Sequence, residues 1–130
     1  MLPHLTEEWR PVSGYEDWYS VSNLGRVRRD RPGPSTYAGK LLAINYATKY
    51  PSVGFSLGRA RKFRTASGPP TVHAIHRLVA LAFFGPRLPG YEVNHKDGNK
   101  RNNSVDNLEY VTRSENHLHA YRTGLRGKHR

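Results

Sequence analysis

Residues 91–124 constrain the fold of this chain more than any other stretch. Tyr91-Glu92-Val93-Asn94-His95 reads as a short strand. The polar run KDGNKRNNSVDN that follows is rich in the asparagine, aspartate and glycine that build turns. Leu108-Glu109-Tyr110-Val111-Thr112 alternates apolar and polar residues at period two and reads as a second strand. Thr112 and Glu115 then stand at capping-box spacing, which places a helix over 113–123, ended near Gly124. Strand, loop, strand, helix is a ββα unit.

The upstream sequence offers packing partners. Ile75, Leu78, Val79, Ala82 and Phe83 recur at i, i+3, i+4, i+7 and i+8, one face of a helix over 76–84 that Gly85-Pro86 ends. This helix supplies the main core stripe. Trp18 to Ser22 alternates large and small residues, Asn23-Leu24-Gly25 reads as a turn, and Arg26-Val27-Arg28 returns as a strand. Together they predict an antiparallel hairpin with basic residues on one face. Residues 30–40 are a loop by composition. Leu41, Leu42 and Ile44 are strand-like. Residues 53–57 alternate and can pair with 71–75 through a connection at 65–70. The expected class is α+β, a small antiparallel β region before the C-terminal ββα unit. The organisation read from this is an N-terminal β-rich module at 1–64, the ββα unit at 71–124 and a basic tail at 125–130.

Charge narrows the partner. Lys and Arg total 21 against 10 acidic residues, a formal charge of +11, and the pI is near 10.3. Such a field on a small domain points to a polyanion, and double-stranded DNA is the expected one. There is no cysteine, which excludes disulfides, thiolate zinc sites and a cysteine nucleophile. No apolar run approaches the roughly 20 residues that span a bilayer, so no membrane partner is expected. MLPHLTEEWR lacks the features of a signal peptide. The expected compartment is the cytoplasm, that of the host cell if the gene is phage-borne.

Hydrolysis of a phosphodiester needs a base for water, positive charge against the phosphate and leaving oxygen, and donors that hold the phosphate. A histidine suits the base near neutral pH, and oxygen ligands suit Mg²⁺ or Mn²⁺. His95 closes the first strand, Asn107 opens the second, and Asn116 lies one turn into the helix. Folding the hairpin onto the helix brings the strand ends towards the helix N-terminal turn. His73 and His76 have an H-x-x-H spacing with no second ligand pair, so structural zinc is not expected.

The stretch NHKDGNKRNNSVDNLEYVTRSENHLHA resembles the HNH motif of phage and intron-encoded homing endonucleases, the ββα-metal or His-Me finger class. VHAIHRLVALAFFG resembles the helix that precedes this motif in one subgroup. WRPVSGYEDWYSVSNLGRVRR resembles a modular motif joined to such nucleases and thought to contact DNA. The resemblance implies a DNA endonuclease that uses one divalent cation, Mg²⁺ or Mn²⁺, and leaves a 3′-hydroxyl and a 5′-phosphate. It implies that His95 is the general base. Asn107 orients His95 by bridging strand and loop backbone, and Asn116 binds the metal with Asn94. Asp97 and His119 are lower-ranked alternative ligands. The best-described members carry Asp where this chain has Asn94, so the site is expected to hold its ion weakly until DNA adds negative charge. The family leaves open a homodimer, a role beside a phage terminase in packaging, and a basic DNA-binding module without catalysis.

The residues expected to hold DNA are Arg26 and Arg28; Arg59, Arg61, Lys62 and Arg64; Lys96, Lys100 and Arg101 beside the active loop; and Arg122. His76 and Arg77 at a helix start are expected to bind a phosphate, since N-terminal amides favour anions. Phosphate contacts position a protein without reading sequence, so a steep salt dependence follows.

Overall fold

The computed structural model describes residues 6–33, 36–55 and 71–122, the last four of them as backbone only. It has seven short strands, two helices and one 3₁₀ turn among these residues. They are β1 Trp9–Pro11, β2 Tyr19–Ser22, β3 Val27–Arg29, β4 Ser52–Gly54, β5 Val72–Ala74, α1 Ile75–Phe84, β6 Tyr91–His95, the turn Val105–Asn107, β7 Leu108–Thr112 and α2 Arg113–Arg122. All strand pairs are antiparallel: β1-β2-β3 form one sheet, β4-β5 a ribbon, and β6-β7 another. The class is α+β, with a ββα unit at the C-terminal end.

The β2–β3 hairpin forms with Val21 opposite Val27. Gly25 sits in its turn at φ +87°, a left-handed conformation that glycine takes without a Cβ penalty. Arg26 and Arg28, two positions apart, share one face of the hairpin, and both guanidinium groups lie over the Trp9 ring, that of Arg28 4.5 Å from its centroid. Arg29 turns inward, where its Nη1 donates to the Tyr19 hydroxyl at 3.2 Å. The third strand, β1, ends at Pro11 on the sheet edge, the position where a residue without an amide hydrogen is tolerated. Leu41 and Ile44 do not form a strand. Leu41 makes one bridge to Arg28, and Leu42 and Ile44 pack on the core.

Helix α1 presents the stripe read from its period: Ile75, Leu78 and Val79 are buried, and Ala82 and Phe83 pack beside them. Its last turn closes with the Gly85 amide on the Leu81 carbonyl. Helix α2 begins with a reciprocal capping box. The Glu115 amide donates to Thr112 Oγ1 at 3.1 Å, and the Thr112 amide donates to Glu115 Oε1 at 2.8 Å.

One core joins both halves of the chain. Val12, Tyr19, Val21 and Val27 from the N-terminal sheet meet Val53, Phe55, Ile75, Val79 and Leu108. Strand β4 pairs with β5 across the stretch at 65–70. The N-terminal module and the ββα unit therefore share a core rather than standing as separate bodies. Among the described residues no helix is long and apolar enough to cross a membrane.

Candidate active site

The β6–β7 ribbon pairs His95 with Leu108 and Asn94 with Glu109. Its connecting loop is stitched by one side chain. Asn107 Oδ1 accepts from the Asp97 amide at 3.1 Å. Its Nδ2 donates to Asp97 Oδ1 and to the Asn102 carbonyl, each at 2.9 Å. Asn107 thus bridges the loop backbone, and its side-chain hydrogen bonds go to Asp97 and Asn102. Asp97 also accepts from Asn102 Nδ2 at 3.0 Å and from the Asn99 amide at 2.8 Å. These donors, Asn102 foremost, hold its carboxyl below the usual range. Both oxygens of this alternative metal ligand are engaged in the loop.

His95 ends β6 and is only 6% exposed. Its Nε2 is 2.7 Å from Asn103 Oδ1. An amide oxygen only accepts, so Nε2 carries the hydrogen and Nδ1 keeps its lone pair. Burial holds the His95 pKa below the ordinary histidine value. The Asn103 bond opposes this, the Lys100 charge adds to it, and the Asp97 charge opposes it. The ring is a neutral imidazole near pH 7. Asn103 is itself buried and braced from the N-terminal sheet. A Cβ at Gly25 would lie 3.1 Å from the Asn103 Cβ and carbonyl oxygen. The Val105 amide donates to the Asn23 carbonyl at 2.8 Å. The β2–β3 turn therefore buttresses the loop that holds the histidine.

His76 lies beside His95, with ring centroids 5.2 Å apart, and Tyr50 covers it at 4.7 Å. Burial lowers its pKa to about 4, helped by the His95 and Arg77 charges. Its Nδ1 is buried without a hydrogen-bond partner. This departs from the phosphate-holding role expected at the helix start. Facing the core from the first turn of α1, the ring is neutral and shielded, and only Arg77 of that pair is exposed.

Glu92 and Asn94 share one face of β6, because side chains alternate along a strand. Asn94 is 6% exposed, and its Nδ2 donates to Glu109 Oε2 at 2.8 Å. Asn116 reaches back from α2, donating through Nδ2 to Glu92 Oε1 at 2.8 Å. Glu92 is also 3.4 Å from Arg113. Each amide group is thus oriented by a carboxylate, which turns its Oδ1 away. Neither Oδ1 accepts a hydrogen bond among the described residues. Among those residues no three His, Cys, Asp or Glu side chains converge on a metal position. A cation here must use amide oxygens as well. Two such oxygens beside carboxylates are hard donors and fit Mg²⁺ or Mn²⁺. The His119 side chain lies outside the described residues.

Residues 73–118 match the family model described as HNH endonuclease, and residues 7–56 match the NUMOD4 motif. The chain carries an HNH endonuclease domain behind a NUMOD4 motif. The matched span includes His95, Asn107 and Asn116. The chain is 37% identical over 111 residues to DNA endonuclease I-HmuI of Bacillus phage SP01, covering 84% of this chain and 55% of that protein. It is 30% identical over 122 residues to the uncharacterized HNH endonuclease L245 of Acanthamoeba polyphaga mimivirus, covering 94% of this chain and 32% of that protein. A shorter match, 55% over 53 residues, is to the putative SPbeta prophage-derived HNH homing endonuclease YosQ of Bacillus subtilis, covering 41% and 31% respectively. A solved structure of I-HmuI, reported for DNA binding and cleavage, superposes with a TM-score of 0.71 at 34% identity, over 92% of this chain and 61% of that one. The chain spans between about a third and rather more than half the length of these relatives.

The basic residues of this HNH chain are distributed unevenly. Arg26 forms a two-pronged ion pair with Glu7, and Arg28 pairs with Asp30 at 3.0 Å, so part of their charge is answered within the sheet. Lys96 is exposed beside the active loop. Lys100 stands 5.8 Å from the Tyr50 ring centroid, and Arg101 lies over Tyr46 at 4.5 Å. Arg59, Arg61, Lys62, Arg64 and the tail at 125–130 lie outside the described residues, as does the Arg122 side chain. Two site residues escape a sequence reading, Asn103 and Glu109. Asn103 is one of several loop asparagines with no local mark. Glu109 could be found by pairing the two strands from His95 and Leu108 outward.

Proposed function

We propose that this chain is a divalent-metal-dependent DNA endonuclease of the homing type, with His95 as its general base. The observation that carries this reading is the His95–Asn103 bond inside an HNH domain. It leaves the Nδ1 lone pair as the proton acceptor of a buried, neutral imidazole. Asn94 and Asn116 would hold a divalent cation through their amide oxygens. The bound cation supplies positive charge against the phosphate and the departing oxygen. His95 Nδ1 takes the proton from water as the water attacks phosphorus. Asn107 keeps the loop closed under the base, and Asn103 keeps the ring in the reactive tautomer. Lys96, Lys100, Arg101 and Arg77 hold the DNA backbone.

The names of I-HmuI and YosQ favour a homing role for the chain over packaging. One active centre per chain makes a nick the product expected of a monomer. The reading places the protein in the cytoplasm, of the host cell if phage-borne. Relaxation of a supercoiled plasmid with Mg²⁺ or Mn²⁺, and none with EDTA, is the expected result. A protein that binds the plasmid but leaves it intact with every divalent ion would be a DNA-binding module instead.

A further inference from the structure

Mg²⁺ and Mn²⁺ sites draw strength from anionic oxygen, yet Asn94 and Asn116 are both neutral. The carboxylates that touch them differ in one respect. Glu92 is already matched by Arg113, whereas Glu109 has no cationic partner among the described residues. Glu109 stands directly across the ladder from Asn94 and pins its amide at 2.8 Å. The pinned side chain is nine-tenths buried, and its Oδ1 is left without a partner. Among the described residues the fully sealed, unpartnered side-chain polar atom is His76 Nδ1, not Asn94 Oδ1.

We propose that Glu109 supplies the anionic charge of the cation site from the opposite strand, through its contact with Asn94; this rests on reading Asn94 and Asn116 as the cation's ligands. Charge and geometry are divided between two strands. Asn94 and Asn116 contribute aimed, neutral oxygens, and Glu109 contributes the field that holds a divalent ion beside them. The site therefore has measurable affinity for the ion before DNA arrives, and moving the charge one residue across the ladder should preserve that affinity.

The test is Mn²⁺ binding to the full chain without DNA, read from the electron paramagnetic resonance signal of free Mn²⁺. The variants are Glu109→Gln, Asn116→Ala and the double change N94D/E109Q. Glutamine keeps an oxygen that can accept from Asn94, and thermal melts in EDTA check that each variant is folded. Glu109→Gln should weaken Mn²⁺ binding about tenfold or more. N94D/E109Q should recover most of the loss, and duplex binding in EDTA should not fall for either. If Glu109→Gln binds Mn²⁺ as the wild type does while Asn116→Ala does not, the role of Glu109 is overturned and the ligand reading stands. If the wild type binds no Mn²⁺ without DNA, the charge role of Glu109 is overturned; if Asn116→Ala leaves binding unchanged, the ligand reading falls and Glu109 falls with it. Failure of the double change to recover binding, in a protein that melts normally, also overturns the charge role.

Discussion

Acid should unfold this protein partly through His76, a residue outside the proposed chemistry. In the folded chain its pKa is lowered to about 4 from the ordinary histidine value of 6.5, chiefly by burial. The unfolded chain binds the proton near 6.5, so at every pH below that the unfolded state gains more protons. Stability is full above the unfolded value and is lost as pH falls towards the folded one. Taking about 1.4 kcal/mol per pKa unit, the loss is about 3 kcal/mol in full and about 2 kcal/mol at pH 5. The unpartnered Nδ1 offers the ring no acceptor that would welcome the added proton. Urea titrations followed by the fluorescence of Trp9 and Trp18, at pH 7.5 and pH 5.0, measure the loss. Glu7, Asp97 and His95 also titrate with shifted pKa values, so the informative quantity is the difference from His76→Gln, which lacks the titrating ring. The wild type should lose about 2 kcal/mol more than the variant over this interval. Equal losses in the two proteins would show that the ring takes up its proton at an ordinary pH and is not shielded as described.

Three further outcomes follow from the packing and the site. Leu108→Ala removes a side chain only 2% exposed where the two halves of the core meet, and urea unfolding should show a loss of about 2–5 kcal/mol. Asn103→Ala should slow single-turnover cleavage while leaving duplex affinity in EDTA unchanged, because it frees the His95 tautomer without removing a DNA contact. An unchanged cleavage rate would deny the tautomer role. The pH profile of cleavage should keep its acid limb below 6.5, since burial holds His95 neutral there. A limb above that value would mean that the base is more exposed than the structure shows.

Much of this architecture is legible in the sequence because its signals are local. The alternation in 108–112, the Thr112–Glu115 spacing and the α1 period each involve residues a few positions apart, and each element forms where that pattern sets it. Strand β1 carries no such pattern. Trp9–Pro11 is a strand only because β2 offers it an edge. Leu42 and Ile44 show the converse, apolar residues that pack on the core without a partner strand. At the site, His95, Asn107 and Asn116 stand out by motif, but the partner of His95 does not. Asn102 and Asn103 are neighbours of identical chemistry. One serves Asp97 and the other the imidazole, and the second lies against Gly25, far away in sequence. His76 was legible as a residue at a helix start, whereas its inward turn depends on the Tyr50 and His95 rings that cover it.

The central claim is that His95 performs the chemistry and does not hold the DNA. Its most direct test is single-turnover nicking of supercoiled plasmid in Mn²⁺ by His95→Ala, alongside duplex affinity in EDTA. The account predicts a rate lower by at least about a hundredfold, with affinity close to that of the wild type. Wild-type nicking by this variant, or lost affinity with nicking retained, would contradict it.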